Sequence, residues 1–178
     1  MRKTVLLAAV VVLLLSVLSA GCAFNAGSPS PSPPTEIYNS AKGFTINYPP
    51  DWVKDEAKSG PIAVFFEMPT GNGKENLNVQ VWNRSTNDSL ENVTAETLYG
   101  VQALSGFVQI EAGNATLAGA PAYRIVYLAT DDRASLKVTK IWTIKDGKEY
   151  VVSYKATPNN YDKYESTAQQ MIASFRIE

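Results

Sequence analysis

Histidine is absent from this chain and cysteine occurs once, at Cys22. Without histidine there is no side chain whose ordinary pKa lies near neutrality, which removes Ser-His-Asp triads, Cys-His nucleophiles and the usual zinc sites. Carboxylates are the acid–base groups that remain. Two of them across a cleft would suffice for glycoside hydrolysis, but with 17 Asp and Glu residues in the chain some pair must fall close in space, so proximity alone selects none. Asp131-Asp132 reads as a solvated turn, and a calcium site there lacks the one-apart oxygen ligands of an EF-hand loop. Gly71-x-Gly73 precedes a strand pattern and lacks the Gly-Lys of a phosphate-binding loop. The reading therefore assigns no catalytic residue, no metal ligand and no cofactor.

Two further sets of residues could carry recognition or modification. Trp82 alternates out of phase with Leu77, Val79 and Val81, so it lies either under a covering helix or on a surface open to a ligand or partner. Asn83, Asn87, Asn92 and Asn114 each begin an Asn-x-Ser/Thr sequon, and the first three crowd one polar stretch. Polar loops are rich in Asn and Ser in any case. In an archaeal host, whose exported proteins can be N-glycosylated, all four become candidate glycan sites.

The N-terminus states an address. Arg2 and Lys3 form a short positive region, Thr4 to Leu18 carries no charge, and Ser19, Ala20 and Gly21 are small, which is the pattern of an export signal over residues 1–21. Retention as an uncleaved membrane anchor is the second reading, because the run is at the short end of the ~20 helical residues that a bilayer requires. Leu18-Ser-Ala-Gly-Cys22 resembles the lipobox at which prokaryotic lipoproteins are lipidated on cysteine. That makes Cys22 the lipid attachment site; otherwise it is an incidental leader residue or a thiol free for an intermolecular disulfide. Residues 22–35 are then a Pro/Ser-rich linker whose prolines favour extended, unpacked chain. Removing the leader leaves 14 basic against 17 acidic residues and no basic stripe, so nucleic acid is not an expected partner.

Residues 36–178 have the size and composition of one domain. Phe44, Ile46 and Tyr48 alternate before Pro49-Pro50; residues 61–68 form an apolar run, and Leu77, Val79 and Val81 alternate again after the turn at 70–73. Residues 83–93 read as a loop, followed by a helix over 94–105 with Thr94 as N-cap and Gly106 as its stop. Strands return from Phe107. Leu136, Val138, Trp142 and Ile144 share one face, and Asp146-Gly147 is the pair that best forms a tight hairpin turn into 148–156. A last helix follows Thr157-Pro158, with Tyr161, Tyr164, Ala168, Met171, Ile172 and Phe175 in one stripe. An antiparallel sheet of six or seven strands with two helices is an α+β domain.

That order, with the phrases GFTINYPPDW, LAGAPAYRIVY and IASFRIE, resembles the PsbP-like family, whose fold is shared with the DcrB lipoproteins. The resemblance covers residues 36–178 and implies an α/β/α sandwich around an antiparallel sheet. Activities within such a fold differ widely, so the fold does not choose among them. Together with the leader, the leading expectation is an exported lipoprotein on the outer face of the cytoplasmic membrane. Its domain would be a non-enzymatic binding or accessory module for an unidentified envelope protein or ligand. The alternatives are a carboxylate-based hydrolase of envelope carbohydrate and a passive glycosylated envelope component.

Overall fold

In a computed structural model of the chain, residues 31–57, 59–70, 75–131 and 134–178 are described. The leader, Cys22 and most of the linker lie outside them, as do Gly71–Lys74, Asp132 and Arg133 from the two expected turns. Residues 31–35 carry no regular secondary structure.

The elements run β1 (Glu36–Ser40), β2 (Phe44–Tyr48), β3 (Val53–Glu56), β4 (Ile62–Glu67), β5 (Asn76–Asn83), α1 (Leu90–Gln102), β6 (Val108–Leu117), β7 (Ala120–Thr130), β8 (Ser135–Lys145), β9 (Lys148–Ala156), α2 (Pro158–Ser174) and β10 (Arg176–Ile177). The large sheet has seven antiparallel strands in the order β3-β4-β5-β9-β8-β7-β6, the upper of the two expected counts. Phe44–Tyr48 belongs instead to a separate three-stranded sheet, β1-β2-β10, which sequence alternation alone does not distinguish.

Period-two alternation divides the large sheet between two apolar clusters. Val64, Phe66, Leu77, Val79, Val152 and Tyr154 meet the stripe of α2 (Tyr161, Tyr164, Ala168, Met171) and the small sheet, with Phe175 stacked near Phe44 at 5.2 Å between ring centroids. Trp52 is buried in this layer, edge-on to Tyr164. On the opposite face Ile125, Tyr127, Leu136, Val138, Trp142 and Val151 meet Val93 and Val101 of α1. Helix, sheet and helix therefore stack as three layers.

The helix boundaries show what capping decides. α1 starts at Leu90, four residues before the predicted start: Ser89 Oγ accepts from Asn92 N, satisfying one of the orphan N–H groups. Thr94 is no cap; its Oγ1 accepts from Trp142 Nε1 at 3.1 Å and ties the helix to the sheet. The helix ends at Gln102, before the predicted Ser105, and Gly106 sits in the following turn with φ of 65°. α2 begins as expected with Thr157 as N-cap and Pro158 in its first turn. Its cap is supplied from elsewhere: Glu75, 1% exposed, accepts from Thr157 N and Thr157 Oγ1 and from Asn160 Nδ2. Burial pushes the Glu75 carboxyl up, but the hydrogen bonds from Thr157, Thr70 and Asn160 outweigh it and hold the group below its ordinary value. The Asp146-Gly147 turn has φ of 53° and 70°, the paired positive values of the hairpin that those residue types predict.

Candidate functional site

β5 has two chemically distinct faces. Leu77, Val79 and Val81 enter the apolar core, while Asn76, Asn78, Gln80 and Trp82 project to the α1 side. The helix covers that side over β7, β8 and part of β9 and leaves Gln80 and Trp82 of β5 accessible, whereas Asn76 and Asn78 are buried. Two adjoining hollows of about 420 and 270 Å³ result, and Gln80, Leu104, Tyr127 and Lys140 line both. Together they form one groove between the end of α1 and the sheet.

Strand register assembles its floor. Asn78 pairs with Ser153, and Ser153 pairs with Lys140, so three polar side chains from β5, β9 and β8 stand abreast at the ~4.8 Å spacing of neighbouring strands. The next row on one side holds Lys155, opposite Asn76; on the other, Gln80 faces Val151. Along β5 the side chains form a hydrogen-bonded chain. Trp82 Nε1 donates to Gln80 Oε1 (3.3 Å), Gln80 Nε2 to Asn78 Oδ1 (3.3 Å) and Asn78 Nδ2 to Asn76 Oδ1 (3.1 Å).

Three polar groups on this floor are buried or partly buried. Lys140 Nζ forms no hydrogen bond or ion pair with a described residue, and burial lowers its pKa while the nearby Glu149 charge raises it, the net shift being downward. Ser153 Oγ has no hydrogen-bond partner among the described residues, although the residue is only 6% exposed. Tyr127 is buried among apolar neighbours, and its phenol is pushed up to about 12 by that burial. A buried hydroxyl without a partner and a partly desolvated cation both cost free energy, so such a cluster marks a place where stability is not the only constraint.

The rim is rigidly held. Glu149 accepts from Arg84 Nε at 2.8 Å and Nη2 at 2.7 Å, and Arg84 Nη1 reaches Glu96 of α1 at 3.0 Å. Burial lowers the Arg84 pKa, but the Glu149 and Glu96 carboxylates outweigh it and the net shift is upward. This pair fixes the strand β5 exit against β9 and α1. Trp82, 44% exposed, stands at the mouth and also borders a further hollow of about 450 Å³ beside Lys42 and Lys148. Of the two placements open in the sequence, Trp82 thus has the uncovered one.

The other singled-out residues do not converge on the groove floor. Asn83 is exposed on its rim; Asn87 lies exposed in the loop before α1, Asn92 on the first turn of α1, and Asn114 on edge strand β6. Asp131 Oδ1 accepts from Ala134 N, closing a turn. Among the described residues no three Asp, Glu, His or Cys side chains are grouped to hold a metal ion. No helix among them is long and apolar enough to cross a membrane.

A family model described as PsbP-like protein matches residues 24–177. The chain belongs to the PsbP-like family. Among solved structures it is similar to cyanobacterial PsbP (CyanoP) from Synechocystis, at 18% identity and a TM-score of 0.61 over 80% of this chain and 92% of that one. LpqN of Mycobacterium tuberculosis, described as involved in cell envelope biogenesis, aligns at 15% identity and a TM-score of 0.58 over 85% of this chain and 87% of that one. A Pseudomonas aeruginosa protein of unknown function aligns at 13% identity and a TM-score of 0.51, over 76% and 91%. At these identities the likeness is one of fold. No curated protein matches the sequence.

Sequence reasoning passed over Lys140, Ser153 and the amide chain. A signal was present: Lys140 occupies the in-phase position between Val138 and Trp142 on a face otherwise apolar. Charged residues at such a position are rarely accidental, because burial penalises them.

Proposed function

We propose that this PsbP-like protein is a non-enzymatic binding module. In this reading it is exported and held by a lipid on Cys22 at the outer face of the cytoplasmic membrane, with residues 36–178 as the domain that engages an envelope protein or ligand. The observation that carries the binding reading is the groove beside α1, with exposed Trp82 at its mouth and, on its floor, Lys140 and Ser153, whose Nζ and Oγ have no hydrogen-bond partner among the described residues. The lipobox-like LSAGC and the leader carry the location, supported by the envelope role in the description of the LpqN structure.

Crosslinking in native membranes followed by pull-down of the intact protein tests the module. A defined partner should be recovered with wild type and reduced several-fold with Trp82→Ala, since truncating a tryptophan that serves as an interface hot spot costs about 2 kcal/mol or more. Equal recovery with both proteins would remove the groove from recognition. Turnover of a glycan panel by the purified protein would replace the proposal with the hydrolase reading.

A further inference from the structure

We infer that the groove beside α1 binds a small organic oxyanion, a carboxylate or a phosphate ester, with its charged group between Lys140, Ser153 and Asn78 and its apolar part against Leu104 and Val138. This rests on the groove being a binding site and gives the chemistry of what it takes.

The argument starts from Trp82. An indole nitrogen can only donate a hydrogen bond, so Gln80 must present its oxygen to Trp82 and therefore its NH2 to Asn78. Asn78 then has to turn its own NH2 toward Asn76. One donor-only residue sets the direction of the whole chain. In this arrangement each amide oxygen has accepted one bond and each NH2 has spent one of two hydrogens, so Gln80 and Asn78 each keep one N–H and one oxygen lone pair to offer.

The excess of donors comes from the lysines, which have no acceptor atom. Lys140 brings three N–H donors with no described partner, and Ser153 Oγ–H has none. Lys155 lines the 270 Å³ end and adds a second cation. Of the acidic groups nearby, Glu149 is held by Arg84 through two nitrogens, both on Oε2, and Asp131 closes its own turn onto Ala134 N. Counting Arg84, Lys140 and Lys155 against Glu149 and Asp131, the lining carries a net positive charge in a chain whose net charge is −1. Donors in excess, with a cation in a partly desolvated site, recognise a ligand rich in acceptors and negatively charged. Leu104, Leu136 and Val138 supply an apolar wall alongside, which an inorganic ion alone would leave unused. The two hollows are of the size that small ligands occupy.

Three probes test this with the full-length protein in detergent: inorganic phosphate, phenyl phosphate and benzoate. Binding is followed by calorimetry and by tryptophan emission, where Trp82 is the exposed indole while Trp52 and Trp142 are buried. Phenyl phosphate, benzoate or both should bind saturably and at least ~10-fold tighter than inorganic phosphate, by virtue of the apolar wall. Lys140→Met should weaken the binding ~10- to 100-fold, the range of a charge-assisted hydrogen bond, and Ser153→Ala ~3- to 10-fold. Lys140→Arg should stay within a few-fold of wild type, and Lys163→Met, on α2, should not differ from it. Preference between the two organic probes tells phosphate ester from carboxylate. Absence of saturable binding by every probe, or wild-type affinity in both Lys140→Met and Ser153→Ala, overturns the inference. If Trp82-dependent crosslinking survives that outcome, the module stands and only its ligand chemistry falls.

Discussion

Glu75 shows how one side chain can hold two distant parts of the chain together. It precedes β5 and yet serves as the N-terminal cap of α2, more than eighty residues later, through Thr157 and Asn160. Its carboxyl is held below the ordinary value of 4.5, so it binds a proton more readily in the unfolded chain than in the folded one. Its stabilising contribution is therefore full above that ordinary value and is lost as pH falls through the lower, folded value. Glu75→Gln should lower stability by about 1–3 kcal/mol at neutral pH, the cost of replacing a charged acceptor of several hydrogen bonds. The difference between variant and wild type should shrink on acidification; chemical denaturation at pH 7 and at pH 3 measures both. Nothing in the local sequence marks Glu75 for this role, because its partners are brought to it by the fold. Lys140 was more legible, as a charge in the apolar phase of β8, although its lack of a partner among the described residues is visible only once β5 and β9 are in place.

At the level of elements, turns and caps follow residue chemistry where the interaction is local. The β8–β9 hairpin closes on Asp146-Gly147, and the sequence alone specified both its position and its register. The β6–β7 hairpin turns on Ala118-Gly119 with φ of 51° and 76°, and alanine in that conformation gives no warning of it. Gly106, between α1 and β6, is needed for two reasons at once. Its φ is 65°, and a Cβ there would lie 2.5 Å from Thr130 Oγ1, beside the backbone bond from Thr130 N to Ser105 O. Gly106→Ala should destabilise the domain by about 2 kcal/mol or more, combining the left-handed penalty of roughly 1–2 kcal/mol with displacement of β7. A midpoint shift in thermal unfolding checks it, and a loss under ~0.5 kcal/mol would mean that the turn simply rearranges. The early start of α1 has the same lesson in reverse. Polar residues 83–93 resemble a loop, but Ser89 is a good cap and Val93 finds an apolar face to cover, which local polarity does not disclose.

For the molecule as a whole, the proposed address and the domain are physically separate matters. A lipid on Cys22 would hold the protein through buried methylenes, at ~0.8 kcal/mol each, irrespective of what the domain binds. Cys22→Ser should therefore move the protein from the membrane fraction to the soluble fraction without changing the stability of residues 36–178. Retention of the variant in the membrane would transfer the anchoring role to the uncleaved leader. The domain itself is laid out so that one face of the sheet is sealed by α2 and the small sheet, while the other is only partly sealed by α1. The difference creates the groove.

Alternation of period two, the Asp-Gly turn and the apolar stripe of the last helix are short-range properties of the chain, and from them the sequence by itself determined an antiparallel α+β domain and most of its elements. Membership of the small sheet, the insertion of β9 between β5 and β8, and the reach of α1 across the sheet were decided only in the tertiary structure. The reason is that alternation says which residues share a face of a strand, but not which strand lies next to it. Ser153 stands between Asn78 and Lys140 because β5 and β8, far apart in sequence, both pair with β9, and the polar groups of the groove exist as a set for that reason alone.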